Sequence, residues 1–177
     1  KINLLQCRSL RLPGTTGHIE FLPHIPDNRL LFTSNRFISG GAVHNIRYIL
    51  YIDPEKYAGI DSVETKRSLG RAVGKINHNP DIIKGKIMMM GPGRWGSSNI
   101  DLGVNVGYAD IDNASVLVEI AREERGHIPE VSYGTHFFQD LVEGGIMYLP
   151  IYPSEPDTRF NETFFNGTDN VLPDLMP

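Results

Sequence analysis

The sequence predicts an α/β (or α+β) fold, a mixed sheet with a few helices against it, and three stretches carry that prediction. Val63, Leu69, Ala72, Val73 and Ile76 recur at helical spacing between a capping signal, Asp61 with Glu64, and the stop at Asn79-Pro80. Ile82 to Met90 is an apolar run of strand length. ASVLVEIA, residues 114–121, reads as a continuously apolar strand, the pattern of a strand covered on both faces. Strands buried in that way need helices beside them.

The remaining elements follow along the chain. Ile2 to Gln6 reads as a strand, followed by a loop of turn formers, Pro13-Gly14-Thr15-Thr16-Gly17. Residues 1–12 are taken as the end of an upstream domain or a linker, 18–153 as a single α/β domain and 154–177 as an extended tail. The chain opens without Met and with a strand already under way, so it reads as a downstream piece of a longer protein. Leu30–Thr33 and Asn45–Ile52 are rich in β-branched and aromatic residues and are separated by Ser39-Gly40-Gly41, which predicts two strands joined by a turn and ended by Asp53-Pro54. Gly70 and Gly74 each cost about 1 kcal/mol relative to Ala inside a helix, so their predicted use is close packing on the sheet. VNVGYADI (104–111) predicts a strand entering a turn. A second helix is expected from Thr135 to Glu143, with Phe138, Leu141 and Val142 on one face and Gly144-Gly145 as its stop, and the strand IMYLPIY follows. Beyond Pro153 the composition turns to Pro, Asp, Asn, Gly and Thr, leaving Phe160, Phe164 and Phe165 to dock the tail.

Composition excludes several function classes. The 177 residues hold 17 Lys plus Arg against 21 Asp plus Glu, a net charge of −4, with the basic residues scattered, so neither nucleic acid nor an anionic membrane is an expected partner. A lone Cys7 excludes an internal disulfide and a multi-cysteine zinc site, which fits a reducing compartment, and the expected location is cytoplasmic. No apolar segment approaches the ~18 residues of a membrane span.

Two stretches carry candidate chemistry. GPGRWGSS, from Gly91 to Ser98, follows the apolar run. Its glycines Gly91, Gly93 and Gly96 leave backbone N–H groups unshielded, Ser97 and Ser98 add hydroxyls, and the planar fork of Arg94 suits phosphate or carboxylate. No Gly-Lys-Ser/Thr follows, so this is not a Walker A loop. The other reading is a tight turn with Trp95 folded onto the core, and Trp95 is structural under both. Thr135-His136 is the second stretch. With Thr135 as cap, His136 sits in the first helical turn, where the positive end of the helix dipole favours a neutral, nucleophilic ring and where free N–H groups stabilise a phosphoryl group. The plainer reading is a histidine hydrogen-bonded at a helix start. His18, His24, His44, His78 and His127 have no metal-site spacing, Asp110 and Asp112 read as turn formers, and the mixed run Arg122 to Arg125 reads as a solvated face or loop.

The opening INLLQCRS resembles the strand that closes the ATP-grasp domain of phosphoenolpyruvate synthase and pyruvate phosphate dikinase, where a Gln-x-Arg-Pro motif binds ATP. Gln6 and Arg8 match it, and Ser9 stands in place of the proline. MMGPGRWGSS, LGVNVGYADI, ASVLVEI and GTHFFQDLVEGG, within about Leu30 to Tyr152, resemble the segment that follows the nucleotide domain in phosphoenolpyruvate synthase-like proteins. Gly134-Thr135-His136, with Gly145-Ile146 nine positions after the histidine, is similar to the phospho-accepting pattern of that family's β/β/α swivelling domain. It departs from the pattern in lacking the double glycine, in having Phe137-Phe138 for small residues, and in having Met147 where a proline would stand. The resemblance implies a pyruvate, water dikinase-like phosphotransferase with His136 as phosphoryl carrier and Gln6 and Arg8 on the nucleotide. It also implies ATP and Mg²⁺ brought by an upstream ATP-grasp domain, and a small-molecule acceptor. The alternative is a non-catalytic structural or regulatory domain that packs against the ATP-grasp domain.

Overall fold

The computed structural model describes residues 25–34, 36, 38, 41–82, 86–123 and 128–176. Four strands, β1 (Tyr48–Tyr51), β2 (Ile87–Pro92), β3 (Val116–Ile120) and β4 (Met147–Ile151), form one sheet in chain order, and each neighbouring pair is parallel. The α/β fold is as the sequence predicts. The hairpin expected between residues 30–33 and 45–52 does not form: Phe32 bridges Phe160 in antiparallel sense, while β1 pairs with β2. A parallel pair needs a crossover of a dozen or more residues, and helices α1 (Pro54–Ala58) and α2 (Val63–Asn77) supply it.

Asp53 caps α1, accepting from the N–H groups of Glu55 and Lys56, and Pro54 starts it with φ preset. The cap of α2 is Ser62, whose hydroxyl accepts from the Thr65 N–H at 3.2 Å, one residue later than the expected Asp61. Gly70 does allow a close approach, but to the connection between β2 and β3 rather than to the sheet. A methyl group there would run into the Asn105 carbonyl oxygen, and one at Gly74 would lie 2.6 Å from an Asp110 carboxylate oxygen. The strand expected at 104–111 does not form; the connection between β2 and β3 folds back on the loop after β2, where Gly103 bridges Gly93 in antiparallel sense. Val104 and Val106 instead enter the core from a loop, and Tyr108–Asp110 is a 3-10 turn in which Asp110 accepts the Gly107 N–H at 2.7 Å.

Alternation along the strands divides the core in two. Ile87, Met89, Leu117 and Tyr148 face Val73 and Ile76 of α2, Leu141 of α3 (His136–Glu143), and the loop residues Trp95, Val104 and Ile111. Met88, Met90, Val118, Ile120 and Ile151 face the other way, toward Phe32, Phe160 and Phe165. The tail adds two short helices, α4 (Glu162–Gly167) and α5 (Leu172–Leu175), and docks by its aromatics: the Phe165 ring lies 4.9 Å from those of both Tyr51 and Phe160. Arg122, expected in a solvated run, is pulled between Glu55 of α1, at 2.6 Å, and Glu162 of α4. No described helix is long and apolar enough to cross a membrane.

Candidate functional site

The site lies where the chain leaves the carboxyl ends of β2 and β3, the side on which open parallel sheets expose their loops to ligands. Gly91 is still part of β2, beside Glu119 in the register of β3. A side chain at Gly91 would come within 3.0 Å of both the Trp95 ring and Ile52, so this glycine makes room for the indole. Gly93 turns the chain at φ +60 and donates its N–H to the Ile120 carbonyl at 3.0 Å. The next three N–H groups are also committed internally: Arg94 to Leu102 O at 2.7 Å, Trp95 to a Glu119 carboxylate oxygen at 2.7 Å, and Gly96 to Val104 O at 3.3 Å. The amides that the sequence offered to an anion thus fasten the loop to its own protein. What remains for a ligand is the Arg94 guanidinium, which is paired with the exposed Glu130 at 3.0 Å. The Ser97 hydroxyl accepts from the Asn99 N–H at 3.1 Å, and Ser98 is exposed and lines a different cleft, beside α2. Trp95 is fully buried, and its indole N–H has no partner among the described residues.

Thr135 caps α3 as the sequence predicts: its hydroxyl accepts from the Phe138 N–H at 3.2 Å and donates to Ser132 O at 2.7 Å. His136 is the first helical residue and is exposed. Its own N–H and that of Phe137 make no hydrogen bond with described residues, so two free donors stand at the positive end of the helix. Phe137 packs on Gly96, where a side chain would collide with its ring, and Phe138 turns onto Tyr133 and Tyr148, with ring centroids 5.1 and 5.3 Å away. Arg94, Gly96, Gly134, Thr135, His136 and Phe137 line one cleft of about 320 Å³. The two stretches singled out from the sequence therefore meet. Gln6, Arg8, His18, His24 and His127 lie outside the described residues, and His44 and His78 are exposed.

One residue that holds the two stretches together lies in neither of them. Glu119 is fully buried near the end of β3, and its carboxylate gathers four donors. One oxygen accepts from the Trp95 N–H at 2.7 Å and the Ser132 hydroxyl at 2.6 Å; the other accepts from the Ser132 N–H and the Tyr148 hydroxyl, both at 2.6 Å. Burial pushes the carboxyl above the ordinary range, opposed by the bonds from Ser132, Tyr148 and Trp95. The Tyr148 hydroxyl is raised too, first by burial and then by Glu119. One side chain thereby ties the Arg94 loop to the turn that leads into His136. The signal was present: a lone charged residue inside a strand covered on both faces has to be paired.

Among the described residues no group of three His, Cys, Asp or Glu is placed to hold a metal ion. No protein family, curated protein or solved structure matches the chain.

Proposed function

We propose that the domain carries a phosphoryl group on His136, in the manner of the phosphohistidine domain of phosphoenolpyruvate synthase-like phosphotransferases. The observation that carries this reading is the shared cleft, in which a helix-start histidine, two free helix N–H groups and the Arg94 guanidinium converge. The lone pair of a His136 ring nitrogen attacks the phosphorus of the donor, and a P–N bond forms as the P–O bond to the leaving phosphate breaks. Charge on the transferring oxygens is met by the α3 N-terminus and by Arg94. Arg94 exchanges Glu130 for the phosphoryl group, a small loss because both partners are partly exposed, with side-chain exposures of 31% and 64%. ATP and Mg²⁺ belong, under this reading, to the upstream ATP-grasp domain, and a small-molecule acceptor takes the phosphoryl group on.

The test is phosphorylation of the full-length protein by ATP labelled separately at the β and γ positions. Acid-labile, alkali-stable label that is absent from His136→Ala is the expected result; ATP binding without such label counts against the reading. The commitment of the Gly93–Gly96 amides inside the protein favours a second one, a structural or regulatory domain packed against the ATP-grasp domain, in which the loop is a closed turn and His136 only begins a helix.

A further inference from the structure

We propose that a second cleft, between α2 and the connection from Gly96 to Gly107, binds a small molecule bearing a phosphate group through Arg67 and Arg71. This proposal is independent of the role of His136. The cleft holds about 360 Å³, at the small end of the roughly 300–1,000 Å³ of ligand sites, which suits one small molecule. Arg67 and Arg71 stand four residues apart on α2 and so share one face, and both act on the exposed Glu64 carboxylate, which they hold below the ordinary range. Arg67 makes no hydrogen bond or ion pair with any described residue. Arg71 is held by Glu64 and by the Ser68 hydroxyl, each at 2.6 Å, but Arg71 and Glu64 are 59% and 69% exposed, and such a pair exchanges readily for a ligand anion.

The opposite wall presents backbone at Gly96 and Gly107 and the exposed hydroxyl of Ser98. Asp110 is the single acidic residue on the lining, and its carboxylate is engaged by the Gly107 N–H at 2.7 Å. The lining itself carries two guanidinium groups against one engaged carboxylate, and Glu64, which offsets Arg71, lies outside it, so the cleft gains positive character as Arg71 gives up Glu64 for a ligand. A phosphate dianion can accept from both planar forks and from Ser98 together, whereas one carboxylate leaves a guanidinium unbalanced. The backbones of the two walls are held together, since Gly70 brings α2 directly against the Asn105 backbone.

The test is a titration of the intact protein with inorganic phosphate, and in parallel with acetate, following backbone amide and arginine Nε–H signals by NMR. Saturating shifts at Arg67, Arg71 and Gly107, stronger with phosphate than with acetate, are expected. Kd should rise at least about ten-fold in Arg67→Gln, as the loss of a hydrogen bond to a charged group requires. Arg94→Gln should leave these shifts in place, which separates this cleft from the one at His136. Linear shifts without saturation, acetate binding as tightly as phosphate, or shifts that survive in Arg67→Gln/Arg71→Gln would each overturn the assignment. Amide signals remote from α2 report whether the variants remain folded.

Discussion

Glu119 on β3 and Tyr148 on β4 share a 2.6 Å hydrogen bond, and both residues are fully buried. The same carboxylate holds the Trp95 N–H and both donors of Ser132, so three separate segments meet on one side chain. Replacing Glu119 by Ala leaves the Trp95 and Ser132 N–H groups and the Tyr148 hydroxyl without this acceptor at about 1–3 kcal/mol each, while the Ser132 hydroxyl keeps the Trp95 carbonyl at 2.8 Å, a predicted loss of at least about 3 kcal/mol of stability. Denaturant unfolding measures it. Trp95 emission should shift to the red as the loop loosens, and a variant as stable as the wild type, with unchanged emission, would remove Glu119 from the centre of this account.

The titration of Glu119 has a definite sign. Its carboxyl is raised in the folded protein, chiefly by burial, so between the ordinary glutamate value of about 4.3 and the higher folded value the native state binds more protons than the unfolded one. Stability from this group is therefore fully present below the unfolded value and is lost as pH rises through the folded value. Wild type should lose ground to Glu119→Gln over that window, because the amide cannot ionise. Unfolding free energies of the two proteins, measured side by side across pH, would run parallel if burial did not govern this group.

Gly70 and Gly167 make a contrasting pair. An added methyl at Gly70 meets the Asn105 carbonyl, and Gly70→Ala should destabilise by about 1–3 kcal/mol through overpacking. Nothing lies within 4 Å of the corresponding position at Gly167, the last residue of α4, and Gly167→Ala should be neutral or stabilising by up to about 1 kcal/mol. Thermal unfolding of the two variants decides whether the α2 approach is as close as described.

These cases show which physical signals the sequence carried. The α2 periodicity, the apolar strands and the Thr135 cap are local patterns, and each element formed within a few residues of its expected limits. The partner of β1 was not legible, because the chemistry of Tyr48–Tyr51 suits a hairpin as well as a parallel edge and the choice is made by long-range pairing. VNVGYADI alternates like a strand, yet it pairs with no strand of the sheet and instead sends Val104 and Val106 into the core from the connection between β2 and β3. The meeting of Arg94 with His136 depends on two crossovers, so the sequence supplied both residues and not their adjacency. The loop amides read as free donors because nothing local announces Glu119, Leu102 and Val104 as their acceptors.

The central claim, that Arg94 serves a phosphoryl group on His136, is tested most directly by the rate at which His136 is phosphorylated in wild type and in Arg94→Gln. Label should still attach at His136 in the variant, about 100- to 1,000-fold more slowly, as the loss of one preorganised donor to transition-state charge requires. An unchanged rate, or label attached at another residue, would contradict it.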